Sequence, residues 1–334
     1  MFGLVVASLH SPHGTIRSIS NSKAKLCYEV HASWFNSMHD LGGAYSAVLV
    51  YIGDKLGLYN TMNDEGKPIS SHELATLTKT SERNVREWLA NQAAGGYVTY
   101  NKETQKYWLP PENALALVDE DSPVFAMGAF QGTMSFFRDA PKVIEAFKTG
   151  RGLPWGEHDP DLFVGTERFF KPNYNYNLVS SWIPSLNNGK VQQKMEKERA
   201  LVADVGCGHG ISTIIMAKAY PNSRFIGFDN HQASIERARE LAREEGLSQE
   251  QIKFEDFSAN DYYHYSEANL NLVSRMYYAA STMVCVPGAM AFTGPALGAQ
   301  AGEAKTGEVV KAGGFKQFRR TTQTQFNIVY EARP

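Results

Sequence analysis

Four residues between Leu201 and Gly210 have the types and spacing to hold a charged ligand. The stretch LVADVGCGHG sets an acid, Asp204, ahead of three glycines at alternate positions, Gly206, Gly208 and Gly210. The apolar residues before the glycines read as a strand, and ISTIIMAKA after them reads as a helix. Glycine lets a backbone turn tightly and approach a ligand with no Cβ in the way. The N-terminus of the following helix offers unpaired N–H groups and the positive end of a dipole, which suits a carboxylate. Asp204 is placed to receive an ammonium, directly or through water. Together these groups fit the free amino-acid end of a ligand.

A dinucleotide fingerprint, G-x-G-x-x-G, would need its third glycine at position 211, which is Ile211. It would also have no use for an acid at 204. The motif therefore favours S-adenosyl-L-methionine over NAD as cofactor. Cys207 fills one of the x positions of the cradle, and nothing around it points to an activated thiol. Asp229 follows Gly210 by nineteen residues, at the end of the second strand, where an acid can accept both ribose hydroxyls. Asn230 or His231 is expected beside the adenine. Enzymes with such a cofactor site usually carry an acid just beyond the third strand for the adenine amino group; here the slot counted from Phe254 is Ser258, which can still accept or donate one hydrogen bond to the adenine. Asp256 stands two residues early and points elsewhere by strand alternation.

The elements that position these groups are legible from pattern. Residues 44–58 read as a buried helix. Ser70 or Ser71 is placed to cap a helix ending near Thr78, and Thr80 or Ser81 to cap the next. In that helix Val85, Trp88, Leu89 and Ala93 keep a helical period until Gly95-Gly96. Short alternating runs at 97–100 and 107–109 complete a winged helix. Residues 119–195 read as aromatic-rich helices around the loop TGRGLPWGEHDPDLF. From Ala200, strands at 201–205, 224–228 and 251–257 alternate with helices at 211–219 and 232–245, the signature of a parallel sheet. The expected organisation is an extension outside the fold over 1–40, read as disordered, and a winged helix over 41–118. A helical segment lining a substrate cavity over 119–195 and a cofactor-binding domain over 196–334 complete it. The fold class is α/β, a Rossmann-like domain preceded by a mainly α winged-helix domain.

The 334-residue chain is 43% hydrophobic and 20% charged, with a net charge of −2, so no global field draws it to nucleic acid or an anionic membrane. Cys27, Cys207 and Cys285 lie far apart and form no CxxC. That argues against a disulfide framework or a structural zinc, and no metal is expected. It fits a reducing compartment, the cytoplasm. Residues 1–28 hold Arg17, Lys23, Lys25 and several serines but no acid, a composition shared with organelle transit peptides. No apolar run reaches membrane-spanning length.

With the winged-helix start, VADVGCGHG and the late stretch MYYAASTMVCVPG, the chain resembles class I S-adenosylmethionine-dependent methyltransferases that carry an N-terminal winged-helix dimerisation domain. GAYSAVLVYIGDKLGLY, VREWL and LVSSW make the resemblance specific, and it runs from about Leu41 to Pro334. It implies a seven-stranded sheet, a small-molecule methyl acceptor under a roof of aromatic helices, and a homodimer formed through the winged helix. One departure is large. A strand–helix–strand unit on the order of 50 residues should follow the third strand. Here DFSANDYYHYSEANLNLVSR passes almost directly to the late helices. This is read as an internal deletion near 259–270, removing strands 4 and 5 and the acceptor-side residues they carry. The first strand would then expose an edge or pair with the C-terminal hairpin. The implied activity would be impaired.

His158, in PWGEHDP, is the surviving candidate for a general base, set against the reading of an exposed loop histidine. His209 is expected to position backbone. Phe169, Phe170, Tyr174 and Tyr176 either roof the cofactor or fill the core. Two other functions compete. A DNA-binding regulator needs a basic recognition face, but Arg83 and Arg86 are offset by Glu82 and Glu87, and Lys102 and Lys106 face Glu103. A catalytically silent, dimerising paralogue is the other.

Overall fold

The computed structural model describes residues 21–256, 272–292, 296–298, 301–324 and 327–334. The chain divides into two units, Met1–Ser46 and Ala47–Pro334. Helix α1 spans Asn21–Lys55, so residues 21–40, expected to lie outside the fold, are helical instead. The physical reason is in the sequence. No glycine or proline interrupts residues 21–41, and Val30, Trp34, Met38, Leu41 and Tyr45 recur every three or four positions. All five of these side chains are exposed.

In the second unit, α2 (Leu58–Glu65), α3 (Ser71–Thr78) and α4 (Glu82–Ala94) precede a hairpin of β1 (Thr99–Asn101) and β2 (Lys106–Trp108), followed by α5 (Pro111–Leu117). Strands β1 and β2 are antiparallel, with Thr99 opposite Trp108. Ser70 is the residue that caps α3. Its Oγ accepts from Glu73 N at 3.2 Å, and Glu73 Oε2 accepts from Ser70 N at 2.7 Å, a reciprocal capping box. Val85, Trp88 and Leu89 of α4 are buried around Tyr59, whose hydroxyl donates to Gln92 Oε1 at 2.5 Å.

Helices α6 (Met127–Thr149) and α7 (Asp161–Asn177) then pack on one another along glycines. A Cβ on Gly165 would stand 2.4 Å from Gly132 N and 2.7 Å from Gly128 O, so the two backbones touch. Charged side chains tie this pair to α1. Arg168 grips Asp54 with both guanidinium nitrogens, at 2.8 and 3.0 Å, and also reaches Glu120 and Gln131. Arg138 bridges Asp159 and Asp161, and Tyr51 donates to Asp161 at 2.8 Å. Removing Arg168 leaves the mostly buried Asp54 carboxylate without its cation. Arg168→Ala is therefore expected to cost about 2–3 kcal/mol, read from the urea midpoint.

A π-helical turn at Leu178–Trp182 leads through α8 (Ile183–Ser185) and α9 (Lys190–Lys197) to the α/β part. There β3 (Leu201–Val205), α10 (Ile211–Ala219), β4 (Arg224–Asp229), α11 (Gln232–Glu244) and β5 (Ile252–Asp256) alternate. The strands are parallel in the order β3-β4-β5, with Asp204 opposite Gly227 and Asp229 opposite Asp256. One face of the sheet, carrying Phe225, Ile252 and Phe254, packs with Ile214, Ala217, Ile235 and Ala238 of α10 and α11. On the other face Leu201 and Val205 are 66% and 62% exposed, high values for apolar residues of a Rossmann-like first strand. Among the described residues no strand pairs with the free edge of β3.

After α12 (Leu272–Ala280), a π-turn (Ser281–Cys285), α13 (Val286–Ala291) and α14 (Gly302–Ala312) come β6 (Gln317–Gln323) and β7 (Ile328–Arg333). These last two form an antiparallel sheet of their own, so the alternative in which the C-terminal hairpin pairs with the first strand is not what is seen. No helix among the described residues is long and apolar enough to cross a membrane.

Candidate functional site

The glycine turn is built from conformations that side chains disfavour. Gly206, Gly208 and Gly210 have φ of 75°, 54° and 77°. A Cβ on Gly206 or Gly208 would meet nothing within 4 Å, so these two glycines border open space. Gly210 is different, and packs against Phe254 and Ala238 beneath the turn. The first N–H groups of α10 have no acceptor within the helix.

Two acids hold the turn. Asp204 Oδ2 accepts from Ser212 Oγ and Thr213 Oγ1, both at 2.7 Å. Its Oδ1 has no partner among the described residues, so the carboxylate is aimed yet still able to bind. Asp229 Oδ2 accepts from Gly208 N at 2.8 Å, and Oδ1 from His231 N at 2.9 Å. The acid at the end of β4 thus fastens the glycine turn of β3. Ser212 and Thr213 were not singled out from sequence. No spacing marks them: their hydroxyls meet Asp204 only because the glycine turn folds the start of α10 back onto β3.

A cavity of about 270 Å³ opens between this turn and α7. Phe163, Glu167, Phe170 and Tyr174, on one face of α7, form its wall opposite Asp204 and Gly206. Cys207, Gly208 and His209 line it too. Phe170 and Tyr174 are therefore roof residues, whereas Tyr176 is exposed. Burial, with the negative charges of Asp204 and Asp229, pushes the Cys207 thiol up to about 12, so it stays protonated and inert. Burial likewise lifts Tyr174 to about 12, with Asp204 and Tyr277 adding to it.

Glu167 was missed by the sequence reading, because one acid in an aromatic helix carries no motif. Its Oε2 lies 2.6 Å from His209 Nδ1, and both residues line the cavity. Burial pushes its carboxyl pKa up, but the hydrogen bond to His209 and the charges of His209, Arg237 and Lys171 outweigh that and lower it. Glu167 is thus ionised at neutral pH.

His231 packs its ring 4.5 Å from Phe163 and its Nδ1 lies 2.8 Å from Ser234 Oγ. Burial lowers its pKa, so it is neutral at physiological pH. Asn230 is exposed at the bend after β4. Ser258 lies outside the described residues. His158 is buried instead of exposed on its loop. Its Nδ1 sits 3.0 Å from Asp139 Oδ2, and its Nε2 is buried with no partner among the described residues. Lys142 also reaches Asp139, at 2.8 Å. The His158 ring stands behind Trp155, which lines the cavity, and is not itself in the lining.

Residues 44–118 match the family of Rv2258c-like winged HTH domains, and residues 196–292 match a methyltransferase domain family. The chain carries a winged-helix domain followed by a methyltransferase domain. Curated relatives match only part of it. A tRNA (guanine-N(7)-)-methyltransferase of Synechococcus elongatus is 33% identical over 75 residues, 22% of this chain and 30% of that protein. A trans-aconitate 2-methyltransferase of Streptomyces coelicolor is 44% identical over 41 residues, 12% of this chain and 14% of that protein. The chain thus aligns with less than a third of the length of either relative. The fold as a whole matches the mitomycin 7-O-methyltransferase MmcR, with a TM-score of 0.59 at 16% identity over 92% of this chain and all of that one. Human N-acetylserotonin methyltransferase, solved with SAM, matches with a TM-score of 0.53 at 12% identity, covering 95% and 98% of the two chains. The methyltransferase domain therefore has a Rossmann-like fold, and the glycine turn, Asp204 and Asp229 all fall inside the matched region.

Proposed function

We propose that this chain is an S-adenosylmethionine-dependent methyltransferase of a small molecule, with its cofactor half intact and its turnover impaired. The observation that carries this is the cradle itself: two glycines open to the cavity, an aimed carboxylate at Asp204, and the N-terminus of α10. These groups fit the zwitterionic end of the cofactor. Asp204 would take the ammonium, the first N–H groups of α10 the carboxylate, and Asp229 the ribose hydroxyls, with His231 beside the base. Bound there, the cofactor supplies an electrophilic methyl group on a sulfonium. The chain's own residues orient it and keep water out with the aromatic wall of α7.

The reading of impairment is supported by the free edge of β3 and by the exposed Leu201 and Val205, which a complete sheet with helices on both faces would cover. We take these as the marks of the missing strand–helix–strand unit. Transfer of a labelled methyl group to phenolic and amine acceptors tests it: slow or undetectable turnover is expected. Micromolar cofactor affinity together with many turnovers per chain would overturn it.

With the acceptor-side residues reduced, we propose His158 as the base that remains, one that Trp155 must uncover, since its ring is buried and outside the cavity lining. Asp139 holds its Nδ1, which leaves Nε2 as the nitrogen to accept a proton. His158→Ala is expected to lower any residual methyl transfer by about 100-fold, on the scale of general-base catalysis, while cofactor affinity stays unchanged.

The chain is further proposed to be a cytoplasmic homodimer. The support is the exposed apolar stripe Val30, Trp34, Met38, Leu41 and Tyr45 in the first unit. A separate apolar groove between Ile52, Leu56 and Trp88 in the second unit adds to it. Light scattering on the purified chain should give twice the mass of one chain, and a monomer at micromolar concentration would contradict it.

A further inference from the structure

Carboxylates outnumber basic side chains in the cofactor pocket. Glu167 and Asp204 both line it, and no lysine or arginine does so among the described residues. Within the lining the basic partner of Glu167 is His209, whose Nδ1 lies 2.6 Å from Glu167 Oε2, and the charges of Arg237 and Lys171 act on Glu167 from outside the lining. Glu167 Oε1 has no partner among the described residues. Asp204 is accounted for by its hydroxyl donors and its place in the glycine turn. Glu167 belongs to neither, and it is held opposite that turn by α7, one helical turn from Phe163 and two from Tyr174.

We infer that Glu167 makes the pocket selective for the sulfonium cofactor over its demethylated product. This rests on the reading of the pocket as the S-adenosylmethionine site. The two ligands share the adenosine and the amino-acid end. They differ by a methyl group and by one positive charge at sulfur, which the product lacks. A fixed carboxylate in a confined, half-buried pocket attracts that charge far more strongly than one in water. The product loses the attraction at the moment the charge is lost, so the same residue favours binding before transfer and release after it. Glu167 is thus a specificity-determining residue that acts through charge and takes no proton from the acceptor.

The test is calorimetric titration of the full chain with S-adenosylmethionine, S-adenosylhomocysteine and sinefungin, whose protonated amine restores a positive charge near the sulfur position. In Glu167→Gln, an isosteric change that keeps an acceptor for His209, the two cationic ligands should each weaken about tenfold. The neutral product should shift by less than about twofold. Equal weakening of all three ligands would show a merely structural role and overturn the inference, as would no change in any. Should the variant fail to fold, the native chain still decides. Raising NaCl from about 0.05 to 0.5 M should weaken the cationic ligands and spare the product, and parallel salt curves would overturn the inference. A native chain that binds none of the three overturns the cofactor reading itself. A chain that binds all three without preference overturns only the role of Glu167.

Discussion

Gly210→Ala is expected to unfold the cofactor half in part and to abolish binding there. Gly210 has φ of 77°, where a side chain costs about 1–2 kcal/mol. Its Cβ would also stand 2.6 Å from two carbons of the Phe254 ring and 2.9 Å from Ala238 Cβ. Overpacking of this kind adds about 1–3 kcal/mol, so a total loss of about 2–5 kcal/mol is expected in chemical denaturation. Two companion variants separate the causes. Gly227→Ala meets the same Phe254 ring at 2.5 Å without a positive φ, and should show the packing cost alone. Gly206→Ala meets nothing within 4 Å but has φ of 75° and borders the cavity. It should cost about 1–2 kcal/mol of stability and still lose the cofactor, because its methyl group enters the cradle.

The second large effect is expected on the far wall of the pocket. Gly165→Val sets a branched side chain where a bare Cβ already lies 2.4 Å from the Gly132 backbone nitrogen. Backbone cannot rotate away as a side chain can, so α6 and α7 must separate. A loss of about 3 kcal/mol is expected, a fall of roughly 6–12 °C in Tm for a domain of this size. The wall bearing Phe163, Glu167 and Tyr174 would move with α7, and cofactor affinity would fall as well. Gly132→Ala is the control in the neighbouring helix. Its Cβ has nothing within 4 Å, so it should be neutral or stabilising by up to about 1 kcal/mol. Equal melting temperatures for Gly165→Val and the native chain would contradict the close crossing of the two helices.

These predictions rest on features of unequal legibility. The glycine turn was readable because each part is local: a strand, three glycines that must adopt positive φ, and a helix start within ten residues. The winged helix was readable for the same reason, down to a serine cap at 70 or 71, and the structure selects Ser70, whose capping box with Glu73 the sequence reading did not use. Asp229 was readable as an acid at a strand end, but not its hold on Gly208 N, which depends on how β4 lies against β3. Glu167, Ser212 and Thr213 depend on tertiary approach and carry no spacing signal of their own. His158 shows the same limit. Its loop is rich in Gly and Pro and reads as exposed, yet Asp139 and Lys142 draw it into the interior. The helix over 21–40 was missed for another reason. Its basic, serine-rich beginning masked an apolar stripe that starts only at Val30.

The free edge of β3 connects the two halves of the account. It is the open edge of the strand that carries Asp204, so the cofactor turn is held from the β4 side by Asp229 and faced by α7, with no strand at that edge among the described residues. That is why binding is expected to survive where turnover does not. The most direct measurement is calorimetric titration of the folded native chain with S-adenosylmethionine, with Gly206→Ala alongside. The account predicts one site per chain with an affinity in the range of tens of micromolar, displaced by S-adenosylhomocysteine and lost in the variant. No heat and no protection from thermal unfolding at millimolar cofactor, with the chain still folded, would contradict it.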